Sequence, residues 1–183
     1  LADDKGKELE NELGVRYVRT DATSEESVNA AIAEASSLAP LRISVDTHGG
    51  PASGGRLIGK DGSPLDLDGF KKTIEFYLTA VFNVMRLAAD VISRQPADAD
   101  GQRGVIVNTA SIAAFEAQIG QVAYAASKAG VAGMTVTAAR DLAQHGIRVV
   151  AIAPGIVDTP MMAGMPDDVR AALATNVPFP RRL

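Results

Sequence analysis

Short apolar runs alternate along this chain with longer segments of helical periodicity, and this alternation limits the fold more than any other feature. Apolar runs at 15–21, 41–45, 105–107 and 148–153 are each followed by polar residues and later by a helical pattern. Strands that alternate with helices in this way form βα units and a parallel sheet. We therefore predict one α/β domain over residues 1–183, a doubly wound parallel sheet in the order β-α-β-α-β-α-β-α.

Local signals place the ends of the helices. Thr23, with Glu26 three residues later, forms a capping-box pattern and predicts a helix that begins after Thr23. An apolar stripe predicts a second helix over residues 70–92. The next helix is predicted over residues 122–144, where Gly146 suits its end, and Pro166 begins a short final helix.

Composition excludes several classes of protein. The net charge of −4 and the lack of a basic patch disfavour a nucleic-acid partner. No cysteine is present, and the two histidines, His48 and His145, are far apart, so we expect no metal site. No apolar run reaches the roughly 18 residues of a membrane helix, so we expect no membrane partner. The lack of cysteine also fits a reducing compartment, and we expect a cytoplasmic protein.

Three side chains carry the chemistry that the sequence suggests. Tyr124 and Lys128 are four residues apart on a predicted helix, so they share one face. Ser111 comes just after a predicted strand, at the sheet edge where ligands of α/β proteins bind. Each feature alone is common in proteins without this chemistry. Their combination, in this order and at these element ends, is specific.

The three residue types suit the transfer of a proton to or from an alcohol. A free phenol has a pKa of about 10, which is too high for an effective base near neutral pH. A nearby ammonium group favours the phenolate, and Lys128 can supply that charge. Tyr124 can then exchange a proton with an alcohol or carbonyl oxygen, while Ser111 stabilises the charge that develops on that oxygen.

These motifs resemble the short-chain dehydrogenase/reductase family. The resemblance rests on Asn108-Thr109-Ala110-Ser111, on Tyr124-Ala125-Ala126-Ser127-Lys128 and on Pro154-Gly155 with Thr159. Segments 103–111, 114–121, 139–143 and 177–180, and the insertion around 59–62, are most similar to its 3-hydroxyacyl-CoA dehydrogenase subgroup. The resemblance implies a Rossmann fold and an oxidoreductase that interconverts 3-hydroxyacyl-CoA and 3-oxoacyl-CoA. It also implies NAD as cofactor, an acyl-CoA substrate and a homotetramer.

The resemblance also implies roles for individual residues. Ser111, Tyr124 and Lys128 correspond to the catalytic triad, and Gln118 joins Ser111 and Tyr124 as a substrate-binding residue. The residues that correspond to cofactor-binding positions are Asp21 and Ala22 at the adenine, Thr47 and Gly49 under the adenosine, Tyr124 and Lys128 at the centre, and Pro154, Gly155, Val157 and Thr159 beside the nicotinamide.

The ends of the family pattern are missing from this sequence. The Gly-rich strand–helix–strand unit that binds the pyrophosphate is absent, and the acidic residue that reads the ribose would precede Leu1. NAD therefore rests on resemblance alone, and NADP is not excluded. The last strand, which would follow 178–180, is absent too. We expect a Rossmann sheet that lacks its N-terminal βαβ unit and its final strand.

Three residues inside the chain also depart from the family pattern. Asp46 and His48 stand where the family has asparagine and alanine, and Tyr77 stands where an asparagine normally completes the catalytic group. One interpretation is an altered or impaired cofactor site. The other, which we favour from sequence, is drift in a loop for Asp46 and His48 and simple packing for Tyr77.

Two alternatives to the leading hypothesis stay open at this point. A 3-oxoacyl-carrier-protein reductase that uses NADPH would carry the same triad. A non-catalytic scaffold would account for the missing glycine loop and for Asp46, His48 and Tyr77.

Overall fold

The computed structural model of the chain describes residues 3–50, 54–159, 164–175, 177 and 179. Two helices come first, α1 (Asp3–Leu13) and α2 (Glu25–Leu38). The strands are β1 (Ile43–Asp46), β2 (Gly104–Thr109) and β3 (Ile147–Ile152). The remaining helices are α3 (Leu67–Ile74), a π-turn (Glu75–Thr79), α4 (Ala80–Ser93), a 3₁₀ turn (Ile112–Ala114), α5 (Val122–Ala143) and α6 (Asp167–Ala174).

The three strands form one parallel sheet in the order β1-β2-β3. Val45 lies beside Val107, and Val107 lies beside Val150, so residues in the same row face the same side of the sheet. Parallel neighbours joined through helices are the signature of an α/β fold, and the predicted class is confirmed. Three of the four predicted strands are present, each within two residues of its predicted ends.

Helices α4 and α5 cover one face of this sheet and form the core with it. Ile92 of α4, Ile106 of β2 and Val149 of β3 are buried together with Met85 and Ala88. A smaller cluster joins Val81 and Val131 to Ala110, just beyond the end of β2. The core therefore holds the carboxyl ends of the strands and the start of α5 in fixed positions.

The predicted strand over residues 15–21 is wrong. This segment has no regular secondary structure, since β2 pairs with β1 and with β3 and no described strand pairs with residues 15–21. Its polar groups bond to α1 instead, since the Tyr17 N–H donates to Glu10 at 3.1 Å and the Tyr17 hydroxyl to Asp3 at 3.1 Å. A β-strand requires a hydrogen-bonded neighbour, so local propensity alone did not suffice here.

The start of α2 differs by one residue from the capping-box prediction. Ser24 is the N-cap, and its hydroxyl accepts a hydrogen bond from the Ser27 N–H at 3.2 Å. Thr23 instead donates its hydroxyl proton to the Asp21 carboxylate at 2.7 Å. Both residues are good cap formers, and the competing carboxylate removes Thr23 from that role.

Helix α1 was not predicted, and α3, the π-turn and α4 form one continuous helix. No residue of α1 is buried, so it lacks the apolar stripe that identifies a helix from sequence. The Leu67–Ser93 helix is long and apolar enough to cross a membrane by length and composition alone. Half of its most apolar window is buried, and its side chains pack on the sheet as those of a core helix do.

The second face of the sheet is apolar but uncovered among the described residues. Ile43, Val45, Val150 and Ile152 are 62%, 55%, 45% and 49% exposed. These residues lie in the rows that point away from α4 and α5. A parallel sheet normally buries both faces, which explains why both sets of side chains are apolar.

Candidate active site

The candidate residues gather at the carboxyl ends of the strands. Asp46 ends β1 and Thr109 ends β2, and Ser111 follows two residues later. The loop after β3 joins them, because the Ile112 N–H donates to the Pro154 carbonyl at 3.1 Å. Ligands of open α/β sheets bind at this edge, so the fold brings the predicted groups to the expected place.

Lys128 is buried at the centre of this edge, with 3% of its surface exposed. Its Nζ donates to the Thr109 carbonyl at 2.7 Å. Burial lowers the pKa of Lys128, because the charged form loses hydration, and the nearby Asp46 carboxylate opposes that change. An ammonium group has three donors, so two further protons can reach ligand oxygens.

Tyr124 lies beside Lys128, as the four-residue spacing predicted. The Lys128 Nζ is 5.8 Å from the centre of the Tyr124 ring and 5.2 Å from that of Tyr77. The two tyrosine rings meet edge to face with centres 5.0 Å apart. Tyr124 is half-buried, so its ring is held while part of it faces solvent. Helix α5 thus holds the Tyr124 ring and the Lys128 ammonium next to each other.

Ser111 begins the 3₁₀ turn that packs against α5. Its Oγ accepts a hydrogen bond from the Ala113 N–H at 3.1 Å, which orients the side chain. The hydroxyl proton is then free to be donated to a ligand oxygen. The 3₁₀ turn that Ser111 begins and the helix α5 that carries Tyr124 and Lys128 are in direct contact at this edge.

Asp46 and His48 form a close pair next to this group. Asp46 Oδ1 is 2.5 Å from His48 Nδ1 and also accepts from the His48 backbone N–H at 3.1 Å. His48 Nε2 lies 2.8 Å from the carbonyl oxygen of Phe76, in the π-turn. The hydrogen bond to Asp46 raises the pKa of His48, and burial opposes it only in part. The sequence pointed to both residues as departures but gave no sign that they pair.

Tyr77 is 4% exposed and packs in the interior, as the sequence suggested, but it also makes polar contacts. Its hydroxyl donates to the Gly50 carbonyl, and the Tyr77 hydroxyl oxygen accepts a hydrogen bond from the Gly50 N–H at 3.1 Å. Burial raises the pKa of Tyr77, so this phenol stays protonated. Asn83 faces elsewhere, since its amide donates to the Ala22 carbonyl at 3.0 Å.

Gln118 lines an open groove of about 520 Å³. The groove lies between the loop at 55–58 and the loop at 117–122, which are joined by the Gly55 N–H and the Gly120 carbonyl at 2.8 Å. Leu57, Ile58, Ile119 and Val122 make its lining mainly apolar. The groove therefore suits a ligand with an apolar chain.

The predicted cofactor residues fall into separate groups. Thr47 and Gly49 follow β1, and a Cβ added at Gly49 would meet nothing within 4 Å. Asp21 and Ala22 lie on the loop before α2, where bonds from Thr23 lower the pKa of Asp21. The third group follows β3 in a segment of no regular structure; it consists of Pro154, Gly155, Val157 and Thr159.

The described residues fit the nicotinamide-ribose half of a dinucleotide. Three buried polar atoms at the carboxyl ends of β1 and β2 lack a protein partner: Asp46 Oδ2, Asn108 Oδ1 and Thr109 Oγ1. Buried polar atoms normally have hydrogen-bond partners, so unpaired atoms at these strand ends mark an edge that a polar ligand would complete. Within residues 3–50, 54–159 and 164–175, no cluster of three or more histidine, aspartate or glutamate side chains is arranged to hold a metal ion.

The chain is similar to a known family and to named proteins over most of its length. A family model described as short chain dehydrogenase matches residues 2–170. The 3-hydroxyacyl-CoA dehydrogenase type-2 of Drosophila melanogaster is 45% identical over all of this chain and 73% of its own length. The human protein of that name is 44% identical over 91% of this chain and 64% of its own length. This chain therefore spans about two thirds to three quarters of these relatives.

A solved structure shares the fold over the entire chain. The crystal structure of 3-hydroxyacyl-CoA dehydrogenase type-2 from Mycobacterium avium superposes with a TM-score of 0.96 at 51% identity. The superposition covers all of this chain and 72% of the Mycobacterium avium chain. The two chains therefore share the same backbone fold.

Proposed function

Because this chain belongs to the short-chain dehydrogenase family, we propose that it catalyses the NAD-dependent interconversion of 3-hydroxyacyl-CoA and 3-oxoacyl-CoA. The family consists of oxidoreductases that act on CH–OH groups with a nicotinamide cofactor. The substrate class follows from the relatives that this chain resembles over most of its length. The observation that carries the proposal is the buried Lys128 ammonium beside Tyr124, at the strand edge next to Ser111.

Each residue of the triad has a role that its position supports. Tyr124 takes the hydroxyl proton of the substrate in the oxidative direction and returns it to the carbonyl oxygen in the reverse direction. Lys128 places its ammonium group beside the Tyr124 ring, 5.8 Å from the ring centre. Ser111 donates its hydroxyl proton to the same substrate oxygen and so stabilises the charge on it. The nicotinamide ring, when bound, accepts or supplies the hydride.

Lys128 is also placed to hold the cofactor. Among the described residues, the Lys128 ammonium donates to one acceptor, the Thr109 carbonyl. Two of its protons are left for ribose hydroxyls. Thr47 and Gly49 would lie on the adenosine side, with Asp21 and Ala22 at the adenine and the segment 154–159 at the nicotinamide. NAD rather than NADP follows only from the resemblance, since no residue of this chain discriminates between them.

The apolar groove that contains Gln118 is the proposed site of the acyl chain. Leu57, Ile58 and Ile119 would contact the hydrocarbon, and Gln118 would bond to a polar part of the substrate. Burial of apolar surface contributes about 25 cal/mol per Å², so a lining of this kind favours longer acyl chains.

One set of assays separates the proposal from its two alternatives. The chain is supplied with 3-hydroxybutyryl-CoA and NAD⁺, and NADH formation is followed by absorbance. Parallel reactions contain a 3-oxoacyl-carrier-protein with NADPH. Turnover with the CoA ester and NAD⁺ supports the proposal, and a preference for the carrier protein and NADPH replaces it with the reductase. A folded chain whose titration with NADH leaves the nucleotide fluorescence unchanged would be a scaffold.

The assembly and location are part of the same proposal. We expect a homotetramer in the cytoplasm, as the resemblance and the cysteine-free composition suggest. Light scattering coupled to size-exclusion chromatography measures the mass directly. A mass four times the 19.0 kDa of this chain supports the tetramer.

A further inference from the structure

The three internal departures from the family pattern lie in one cluster. The His48 ring contacts Asp46 on one side and the Phe76 carbonyl on the other. Tyr77, the neighbour of Phe76, contacts Gly50. The loop after β1 is therefore joined to the π-turn at two points, and each joint uses a residue that is unusual for the family.

Both nitrogens of the His48 ring face oxygen atoms. Nδ1 faces the Asp46 carboxylate at 2.5 Å, and Nε2 faces the Phe76 carbonyl at 2.8 Å. Both partners can only accept hydrogen bonds, whereas a neutral imidazole has one donor. Both contacts are satisfied together only when the ring carries two protons. The side chain is then an imidazolium paired with a buried carboxylate.

The π-turn explains why an acceptor is available at Phe76. The Ala80 N–H donates to the Glu75 carbonyl, five residues back, and not to Phe76 as an α-helix would require. The Phe76 carbonyl is thereby free to accept from His48. In the proposed arrangement, His48 Nε2 donates to this carbonyl in place of the backbone N–H of an α-helix.

We propose that Asp46 and His48 form a carboxylate–imidazolium clamp that fixes the π-turn to the end of β1, and that both are positioning residues for the catalytic group. The clamp acts through a series of rings in edge-to-face contact. The centres of His48 and Phe76 are 5.3 Å apart, those of Phe76 and Tyr77 are 4.9 Å apart, and Tyr77 contacts Tyr124. Only the effect on turnover rests on the proposed function; the clamp itself does not.

The charged groups around the clamp are consistent with it. Asp46 faces His48 from β1, Lys128 and Tyr124 face the region from α5, and Tyr77 faces it from the π-turn. The bond to Asp46 raises the pKa of His48, while Lys128 opposes that change. The same carboxylate favours the charged form of Lys128. Asp46 thus stabilises two cations, one of them in the proposed triad.

Nuclear magnetic resonance of ¹⁵N-labelled histidine tests the clamp without substrate or cofactor. The chain has two histidines, so the variant His145→Gln assigns both signals and serves as the matched control. We expect both His48 nitrogens to remain protonated above pH 6.5, the ordinary midpoint for histidine. The Asp46→Asn variant should move that titration to lower pH. A His48 ring that loses its proton at or below pH 6.5 in the wild-type chain would overturn the proposal.

Kinetics test the positioning role. Asp46→Asn and His48→Gln should each lower kcat roughly tenfold, and the double variant should lose little more, because contacting residues are not additive. The KM for NAD⁺ should change less than kcat, and His145→Gln should have no effect. Additive losses, or losses confined to KM, would contradict the role. If the variants do not fold, as judged by circular dichroism, the wild-type titration decides alone. A chain without dehydrogenase activity would refute the proposed function and leave the titration result standing.

Discussion

At the scale of single residues, the phenol of Tyr124 is the group on which the chemistry depends most. It is half-buried on α5, next to the Lys128 ammonium. The change Tyr124→Phe removes one oxygen and keeps the ring that packs on Tyr77. We expect kcat to fall by about 10²–10⁴-fold, the usual contribution of general acid–base catalysis. Cofactor affinity, measured by NADH fluorescence, should stay nearly unchanged. Turnover within a fewfold of wild type would remove Tyr124 from its assigned role.

Lys128 should reveal its burial in the dependence of stability on pH. Burial lowers the pKa of this lysine below 10.5, the value in the unfolded chain. Between the lowered pKa and 10.5, the unfolded state binds a proton that the folded state has released, so stability rises with pH. We expect the wild-type chain to gain stability relative to Lys128→Met across this window. Urea unfolding at several pH values measures the difference.

The exposed Lys60→Met variant is the control for that experiment, since it also removes one lysine. The free-energy difference between wild type and Lys60→Met should not follow the Lys128 trend. Lys128→Met should in addition lose turnover and bind NADH more weakly, because one ammonium serves both the phenol and the ribose. A pH-independent difference for Lys128→Met would show that the ammonium is not desolvated in the folded chain.

At the scale of elements, the start of α2 separates two neighbouring residues that sequence treats alike. Ser24 caps the helix, whereas Thr23 bonds to Asp21 outside it. Ser24→Ala should lower the free energy of unfolding by about 1 kcal/mol, as loss of an N-cap does. Thr23→Ala is the matched control and should cost clearly less, because its bond is exposed. Equal losses in the free energy of unfolding for the two variants, measured with urea, would show that Thr23 contributes to the cap as much as Ser24 does.

The elements that sequence predicted best are those whose signals are local and unopposed. The strands β2 and β3 are short apolar runs, and α5 begins at Val122 as expected. The segment 15–21 failed because a strand depends on a partner that no local pattern reports. Helix α1, which has no buried residue, was missed because it has no apolar stripe.

The same distinction applies to the candidate site. Spacing alone predicted that Lys128 and Tyr124 would share a face, since four residues make about one helical turn. His48 contacts Phe76, which is 28 positions away, and Asp46, which is two positions away. No periodicity in the sequence encodes either contact. The π-turn behind that contact gave no sequence signal.

At the scale of the whole molecule, a valine-to-threonine substitution should cost more stability on one face of the sheet than on the other. Val150 is 45% exposed on the uncovered face, and Val149 is 5% exposed under the helices. Val149→Thr should destabilise the fold by about 1–3 kcal/mol, because it buries a hydroxyl. Val150→Thr should cost little and should reduce binding of the dye ANS, which reports exposed apolar surface. Similar losses of stability at both positions would show that both faces are covered in solution.

The placement of the aromatic rings has a spectroscopic consequence. The chain contains no tryptophan and three tyrosines, so its intrinsic ultraviolet emission comes from Tyr17, Tyr77 and Tyr124 alone. Two of these three emitters stand beside the Lys128 ammonium. A nucleotide that binds beside this ammonium would quench a large part of the total signal. The unlabelled protein is therefore its own optical sensor for occupancy, and Tyr124→Phe would show how much of that quenching one ring accounts for.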